Sequence, residues 1–181
     1  MNIADVLRAD INNLDWTCAP HLALLYSLAT VQAPLGLVVE LGTGPGRSTR
    51  ALLAGARNVF TIDNADKSFP VDSGASCKFI VDDATGAAAL FRDRSVSLLF
   101  IDANHERTAV LRDLAAWERK MMGCGIIVGH DWDLAAPGQD GVKAAVLEYL
   151  ALQDPDGKRW MLQVFRADVS SFILWPVLVV K

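Results

Sequence analysis

The chain has 181 residues, 52% hydrophobic and 21% charged, with a formal net charge of −4. With a mean hydropathy of +0.26 and pI ≈ 5.3, it reads as one well-packed globular domain spanning 1–181, not a disordered or fibrous chain. It shows no concentration of Lys and Arg suited to a phosphate backbone, no run near the ~20 apolar residues of a membrane span, and an acid-bearing N-terminus without an apolar signal core. The expectation is a cytoplasmic protein with no nucleic-acid and no membrane partner.

In chain order, residues 1–30 read as an N-terminal helical segment. It contains a helix over His21–Thr30, and Leu14–Thr17 is placed to fold over a pocket as a lid. Five apolar runs then predict parallel strands: Leu37–Leu41, Val59–Ile62, Lys78–Val81, Ser97–Ile101 and Gly125–Val128. Between them lie helices over Arg47–Ala54 and His105–Met122, the latter carrying Val110, Leu111, Leu114, Trp117 and Met121 on one stripe. A further helix covers Gly141–Leu150. Trp160–Phe165 and Ser171–Val179, separated only by a turn, predict an antiparallel hairpin at the sheet edge. The pattern is that of a Rossmann-like α/β fold, with a seven-stranded, mostly parallel sheet, helices on both faces and an antiparallel C-terminal hairpin strand. Cys18, Cys77 and Cys124 are odd in number, widely spaced and set in apolar stretches, as buried thiols without chemistry are. The apolar run Phe172–Val180 at an edge suggests a homodimer.

In open α/β sheets ligands sit outside the carboxyl ends of the strands, so polar residues there are the candidates for chemistry. The first strand runs into Glu40-Leu41-Gly42-Thr43-Gly44-Pro45-Gly46-Arg47-Ser48-Thr49, a turn whose glycines let backbone approach a ligand closely. A dinucleotide fingerprint needs G-x-G-x-x-G, but here Arg47 holds the third glycine's place and Gly46 comes one residue early. Glu40 would repel a pyrophosphate but suits the ammonium and sulfonium cations of S-adenosylmethionine. Asp63 ends the second strand, where a carboxylate accepts hydrogen bonds from both hydroxyls of a ribose. Asp82, Asp83 and Ala84 follow the third strand, facing an adenine. Gly42, Thr43, Gly44, Ser48 and Asp102 complete the expected cofactor contacts.

These residues resemble the class I S-adenosylmethionine-dependent methyltransferases over nearly the whole chain. Glu40 to Gly46 looks like their first motif and Asp63 like the acid of the second. Phe100-Ile101-Asp102-Ala103-Asn104-His105, Asp113-Leu114-Ala115-Ala116-Trp117 and Gly125-Ile126-Ile127-Val128-Gly129-His130-Asp131 resemble a subgroup that includes cephalosporin-hydroxylase-like and macrocin O-methyltransferase-like proteins. Ala103, Arg107 and Cys124 depart from that subgroup's Gly, aromatic and Gly. The resemblance implies transfer of a methyl group to a small-molecule acceptor at oxygen, with S-adenosylmethionine as cofactor.

Asp102 and Asp131 end consecutive parallel strands, so both carboxylates enter one crevice with His105 and His130 beside them. Methyl transfer from a sulfonium is an in-line displacement that needs the acceptor aligned and its oxygen deprotonated. The resemblance implies Mg²⁺ held by Asp102 and Asp131; without a metal, His105 or His130 is the base. Asp113 and Glu118 read as solvated or paired with basic neighbours, and Trp16, Trp117, Trp160 and Trp175 as packing residues. Trp132 reads as a stacking residue over the acceptor or adenine. Two other classes fit parts of the pattern: a nicotinamide-dependent oxidoreductase, and a non-catalytic binding or assembly protein on the same fold.

Overall fold

Seven strands form one sheet in the order β3-β2-β1-β4-β5-β7-β6. In chain order the elements are α1 (Ala19–Gln32), β1 (Leu37–Leu41), α2 (Arg47–Ala56), β2 (Asn58–Asp63), β3 (Ser76–Val81), a 3₁₀ turn (Gly86–Leu90) and β4 (Val96–Ile101). These are followed by α3 (Arg107–Glu118), β5 (Met121–Gly129), α4 (Gly141–Gln153), β6 (Trp160–Arg166) and β7 (Ser170–Pro176). The computed structural model describes residues 3–4, 18–71, 74–134, 141–166 and 170–177. The lid expected at Leu14–Thr17, with Trp16, and the end of the expected apolar run, residues 178–180, lie outside the described residues.

β1 pairs in parallel with both β2 and β4, and β4 with β5, whereas β7 runs antiparallel to β5 and β6. The expected hairpin is therefore present, with β7 inserted inside the sheet and β6 at its edge. Strand order reverses between β1 and β4, and the crevice there is the place where such sheets bind ligands.

The central strands are apolar apart from Glu40 in β1 and Ser97 in β4 and a few glycines, because both faces are covered. Successive residues of β4 alternate between two cores: Leu98 and Phe100 pack with α1 and α2 residues such as Leu25 and Leu52, while Leu99 and Ile101 pack with Val110, Leu114 and Val146 of α3 and α4. In α1, His21, Leu22, Leu25, Leu28, Ala29 and Gln32 are buried, a helical stripe against the sheet.

The third predicted helix is too long. It closes at Glu118, the Lys120 amide bonds back to the Trp117 carbonyl, and Met121 opens β5. Between Val96↔Met121 and Leu98↔Ile126 the register slips, so Met122–Gly125 bulges out of the ladder. The bulge needs glycine: a Cβ on Gly125 would press on Met121 Cε at 2.8 Å and the Val96 carbonyl at 2.9 Å. Cys124 sits in this bulge.

Asp113 is a correction: it is buried and accepts a 2.6 Å hydrogen bond from Thr85 Oγ1. Glu118 is buried too, and pairs with a basic neighbour, Arg159, as expected. Trp132 is also a correction. It is 4% exposed within the core and faces Phe172 at 6.0 Å, so it packs the sheet and does not stack over a ligand. Trp117 and Trp160 are buried as expected, and Trp175 donates its Nε1–H to Gln163.

Candidate active site

The glycine turn after β1 is held from below and from the side. Glu40 is fully buried, and its Oε2 accepts 2.6 Å hydrogen bonds from Thr49 Oγ1 on α2 and Thr61 Oγ1 on β2. It ties strand, helix and neighbouring strand together under the turn, and it lines neither of the cavities described below. Burial pushes its pKa up to about 7, against the opposing pull of the Ser48, Thr49 and Thr61 hydroxyls. Asp63 braces the turn laterally: its Oδ2 accepts from the backbone N–H of Thr43 and of Gly44, both at 3.1 Å.

Two glycines are required here. Gly42 adopts φ +94°, and a Cβ on it would overlap the Asp102 carbonyl, so the turn after β1 can lie directly on the end of β4. Gly46 is the N-cap of α2 at φ +79°, and a Cβ there would enter the Phe69 ring. The early glycine that spoils the dinucleotide spacing thus has its own conformational reason.

Two cavities open above the strand ends and share Gly42, Gly44, Asp102 and Ala103. The larger, of ≈ 600 Å³, is also lined by Asp63, Asp82, Asp83, Ala84, Asn64, Lys67 and Arg112. The smaller, of ≈ 350 Å³, is lined by Thr43, Pro45, Arg47, Ser48, His105, His130 and Asp131. Among the expected cofactor residues only Glu40 stays outside both. Asp83 has a local task as well, since its Oδ1 accepts from the Gly86 N–H at the 3₁₀ turn. The Trp117 indole donates to the Ala84 carbonyl at 2.7 Å, fixing that wall from the core.

At the floor of the smaller cavity the ends of β4 and β5 converge. His105 Nε2 lies 2.9 Å from Asp131 Oδ2 and 3.5 Å from Asp102 Oδ1; His130 Nδ1 lies 2.9 Å and 3.8 Å from the same two oxygens. These are ion-pair separations without aligned ring N–H bonds: His105 Nε2 and both nitrogens of His130 are covered and lack a hydrogen-bond partner of good geometry. Asp131 sits at φ +58°, a backbone conformation uncommon outside glycine and frequent where function demands it. The loop carrying His105 is fastened by the Asn104 side chain, which accepts the Glu106 N–H, and by the close approach of Gly141 to the His105 carbonyl.

The electrostatics follow from this packing. Hydrogen-bond contact with Asp102, then with Asp131, raises the pKa of His105 to about 9. Burial would raise Asp131, yet His105 and His130 outweigh it and hold the carboxyl well below the usual range. Burial would lower His130, and the two carboxylates overcome it, so its pKa is raised. Arg107 turns to α4, where it forms a two-pronged pair with Glu148 at 2.6 and 2.7 Å, and it lines neither cavity.

Residues 39–132, just over half of the chain, match a family profile described as a methyltransferase domain. The chain belongs to this methyltransferase family. It is a class I, S-adenosylmethionine-dependent methyltransferase domain, built on the seven-stranded sheet described above. No curated protein matches the chain in sequence. A solved protein from Corynebacterium glutamicum superposes on the methyltransferase with a TM-score of 0.73 at 13% identity, over 98% of this chain and 90% of its own. MycE methyltransferase from the mycinamycin biosynthetic pathway, in complex with Mg and SAH, gives 0.67 at 16% identity over 97% of this chain and 55% of its own. An rRNA methylase from Streptococcus thermophilus gives 0.60 at 14% identity, over 91% and 99%. At these identities the likeness is one of fold, and the methyltransferase spans about half the length of MycE.

Sequence reasoning missed His21. It is fully buried on α1; its Nδ1 lies 2.8 Å from Ser171 Oγ, and its ring meets His130 edge-on at 4.7 Å. Burial, then the neighbouring His130, pulls its pKa down to about 3, so it is a neutral imidazole. All three histidines of the methyltransferase therefore gather at one place. Lys67 and Arg112 were missed too, because nothing in their local pattern separates a cavity cation from a surface one.

Proposed function

We propose that this methyltransferase moves the methyl group of S-adenosylmethionine to a hydroxyl oxygen of a small-molecule acceptor. The observation that carries the reading is the pair of cavities meeting at Gly42, Gly44, Asp102 and Ala103. The larger cavity has the volume and acidic lining for a cationic nucleoside ligand. Asp63 would take the ribose hydroxyls, Asp82, Asp83 and Ala84 would flank the adenine, and the turn at Gly42, Thr43 and Gly44 with Ser48 and Asp102 would flank the methionine part. The smaller cavity is in the range of small-molecule pockets, and the net charge of −4 opposes a nucleic-acid acceptor. In the reaction the acceptor O–H passes its proton to the neutral form of His105, the new O–CH₃ bond forms as the CH₃–S⁺ bond breaks in line, and S-adenosylhomocysteine leaves. His105, the more open of the two imidazoles in the cavity, meets the acceptor hydroxyl with Asp102 and Asp131 orienting its ring; because they hold its pKa at about 9, only its neutral form, a minority at pH 7, accepts the proton.

The family resemblance also brings a divalent metal into question, and the residues fit one. Asp102, Asp131 and His105 offer donor atoms within 4.8 Å of one another, and His105 Nε2 is covered and unbonded. Asp102 and Asp131 would hold the ion, which when bound lowers the pKa of a coordinated hydroxyl and orients it.

The test is methyl transfer from radiolabelled S-adenosylmethionine to a panel of phenols, catechols and sugar hydroxyls, with tRNA and rRNA as counter-substrates. Transfer to a small hydroxyl compound supports the reading; transfer to RNA alone overturns it.

A further inference from the structure

The two carboxylates at the floor of the smaller cavity leave open what completes the set around an ion. We infer that His105 Nε2 is the third ligand, so that Asp102, His105 and Asp131 form a mixed nitrogen and oxygen site selecting a first-row transition ion over Mg²⁺. This inference rests on the reaction centre proposed above and deepens it.

The separations support it. Two donors each about 2.1 Å from one ion and at right angles are about 3.0 Å apart. Nε2 stands 2.9 Å from Asp131 Oδ2 and 3.5 Å from Asp102 Oδ1, as donors sharing an ion do. The nitrogen is covered yet has no aligned hydrogen bond, so its lone pair or proton faces the carboxylates without being satisfied by either. An independent side chain points the same way: His130, 3% exposed, brings Nδ1 to 2.9 Å from Asp131 Oδ2 and likewise lacks an aligned partner. It stands where a residue orienting a ligating carboxylate would.

The donor chemistry then decides the ion. Mg²⁺ prefers oxygen donors and retained waters, whereas an imidazole nitrogen suits Fe²⁺, Ni²⁺ and Zn²⁺, and Mn²⁺, the weakest binder of the first-row series, serves as the paramagnetic probe of the same site. The neighbours of the later carboxylate, His130 and Trp132, supply no third oxygen, and His105 fills that place. Ligation and proton acceptance are exclusive at Nε2. His105 is thus a base only in the ion-free protein.

The test uses the full chain freed of metal by chelation. Binding of Mn²⁺ and of Mg²⁺ is measured by calorimetry, and the Mn²⁺-loaded protein is examined by pulsed electron paramagnetic resonance for coupling to a ligating ¹⁴N. The expected result is one Mn²⁺ per chain, bound more tightly than Mg²⁺, with ¹⁴N coupling. Both the preference and the coupling should disappear in His105→Gln. Loss of ¹⁴N coupling in the unaltered chain, or a Mn²⁺ affinity unchanged in His105→Gln, overturns the inference. S-adenosylhomocysteine binding, measured in parallel, separates the two proposals. A protein that binds it but no transition ion refutes only the metal site, and one that fails to bind it refutes the cofactor reading whatever the metal does. Retained S-adenosylhomocysteine binding by His105→Gln shows that the variant folds.

Discussion

Glu40→Gln gives a prediction whose sign runs against intuition. Glu40 is fully buried, its Oε2 takes two hydroxyl hydrogen bonds, and its Oε1 has no partner among the described residues. Its pKa in the fold is about 7 against 4.5 for the free side chain. The folded protein therefore holds the proton more tightly than the unfolded chain, and ionising Glu40 costs stability as pH rises from 4.5 to about 7. At about 1.4 kcal/mol per tenfold change in proton affinity, the full penalty is about 3 kcal/mol, absent near pH 4 and complete near pH 8. Gln never ionises, but it buries an amide NH₂ where Oε1 lay unpartnered, a pH-independent cost of about 1–3 kcal/mol. The stability difference, Gln variant minus Glu, should thus climb by about 3 kcal/mol between pH 4 and pH 8. Urea unfolding of both proteins across that range measures it. Parallel curves with a constant offset would refute the assignment of Glu40 as a desolvated carboxyl under the glycine turn.

Three further substitutions probe the same frame. Asp63→Ala removes the acceptor of the Thr43 and Gly44 amides together with the proposed ribose partner; S-adenosylhomocysteine affinity in calorimetry should fall by about 10- to 100-fold, and an unchanged affinity would remove Asp63 from the site. His21→Phe should show the opposite pH trend to Glu40→Gln. The imidazole is neutral in the fold, with a pKa near 3 against 6.5 unfolded, so the native chain loses stability as pH falls below 6.5. The Phe variant should gain about 2 kcal/mol relative to it between pH 8 and pH 5, read by the same urea curves; a flat difference contradicts the buried neutral ring. Arg107→Ala breaks a pair in which the Arg side chain is 57% exposed. It should cost under about 1 kcal/mol and leave S-adenosylhomocysteine binding intact, and a large binding loss would return Arg107 to the cavity.

What the sequence disclosed and what it hid have separate physical causes. Strands β1, β4 and β5 were legible because a sheet covered on both faces needs near-continuous apolar runs, and the polar residues that follow them, Gly42, Asp102 and His130, mark the ligand crevice. Asp63 was legible as a strand-ending acid, though its grip on the Thr43 and Gly44 amides was not. Glu40 reads as a cofactor contact yet faces Thr49 and Thr61, because strand alternation, invisible to a motif, sets which way a side chain turns. The end of α3 was misplaced because Met121 is apolar in either a helix stripe or a strand; only the ladder with Val96 decides. Trp132 lies past the end of β5, in the turn after Asp131 at φ +58°, so no strand pattern disclosed that it packs into the core. His21 lies 109 residues from His130 along the chain, and only the packing of α1 on the sheet brings the two rings together.

The most direct measurement of the central claim, that the crevice above β1 and β4 receives S-adenosylmethionine, is a calorimetric titration of the full chain with S-adenosylhomocysteine, beside one with NADH. The predicted result is one site of micromolar affinity for S-adenosylhomocysteine and none for NADH. Binding of NADH without S-adenosylhomocysteine would contradict it.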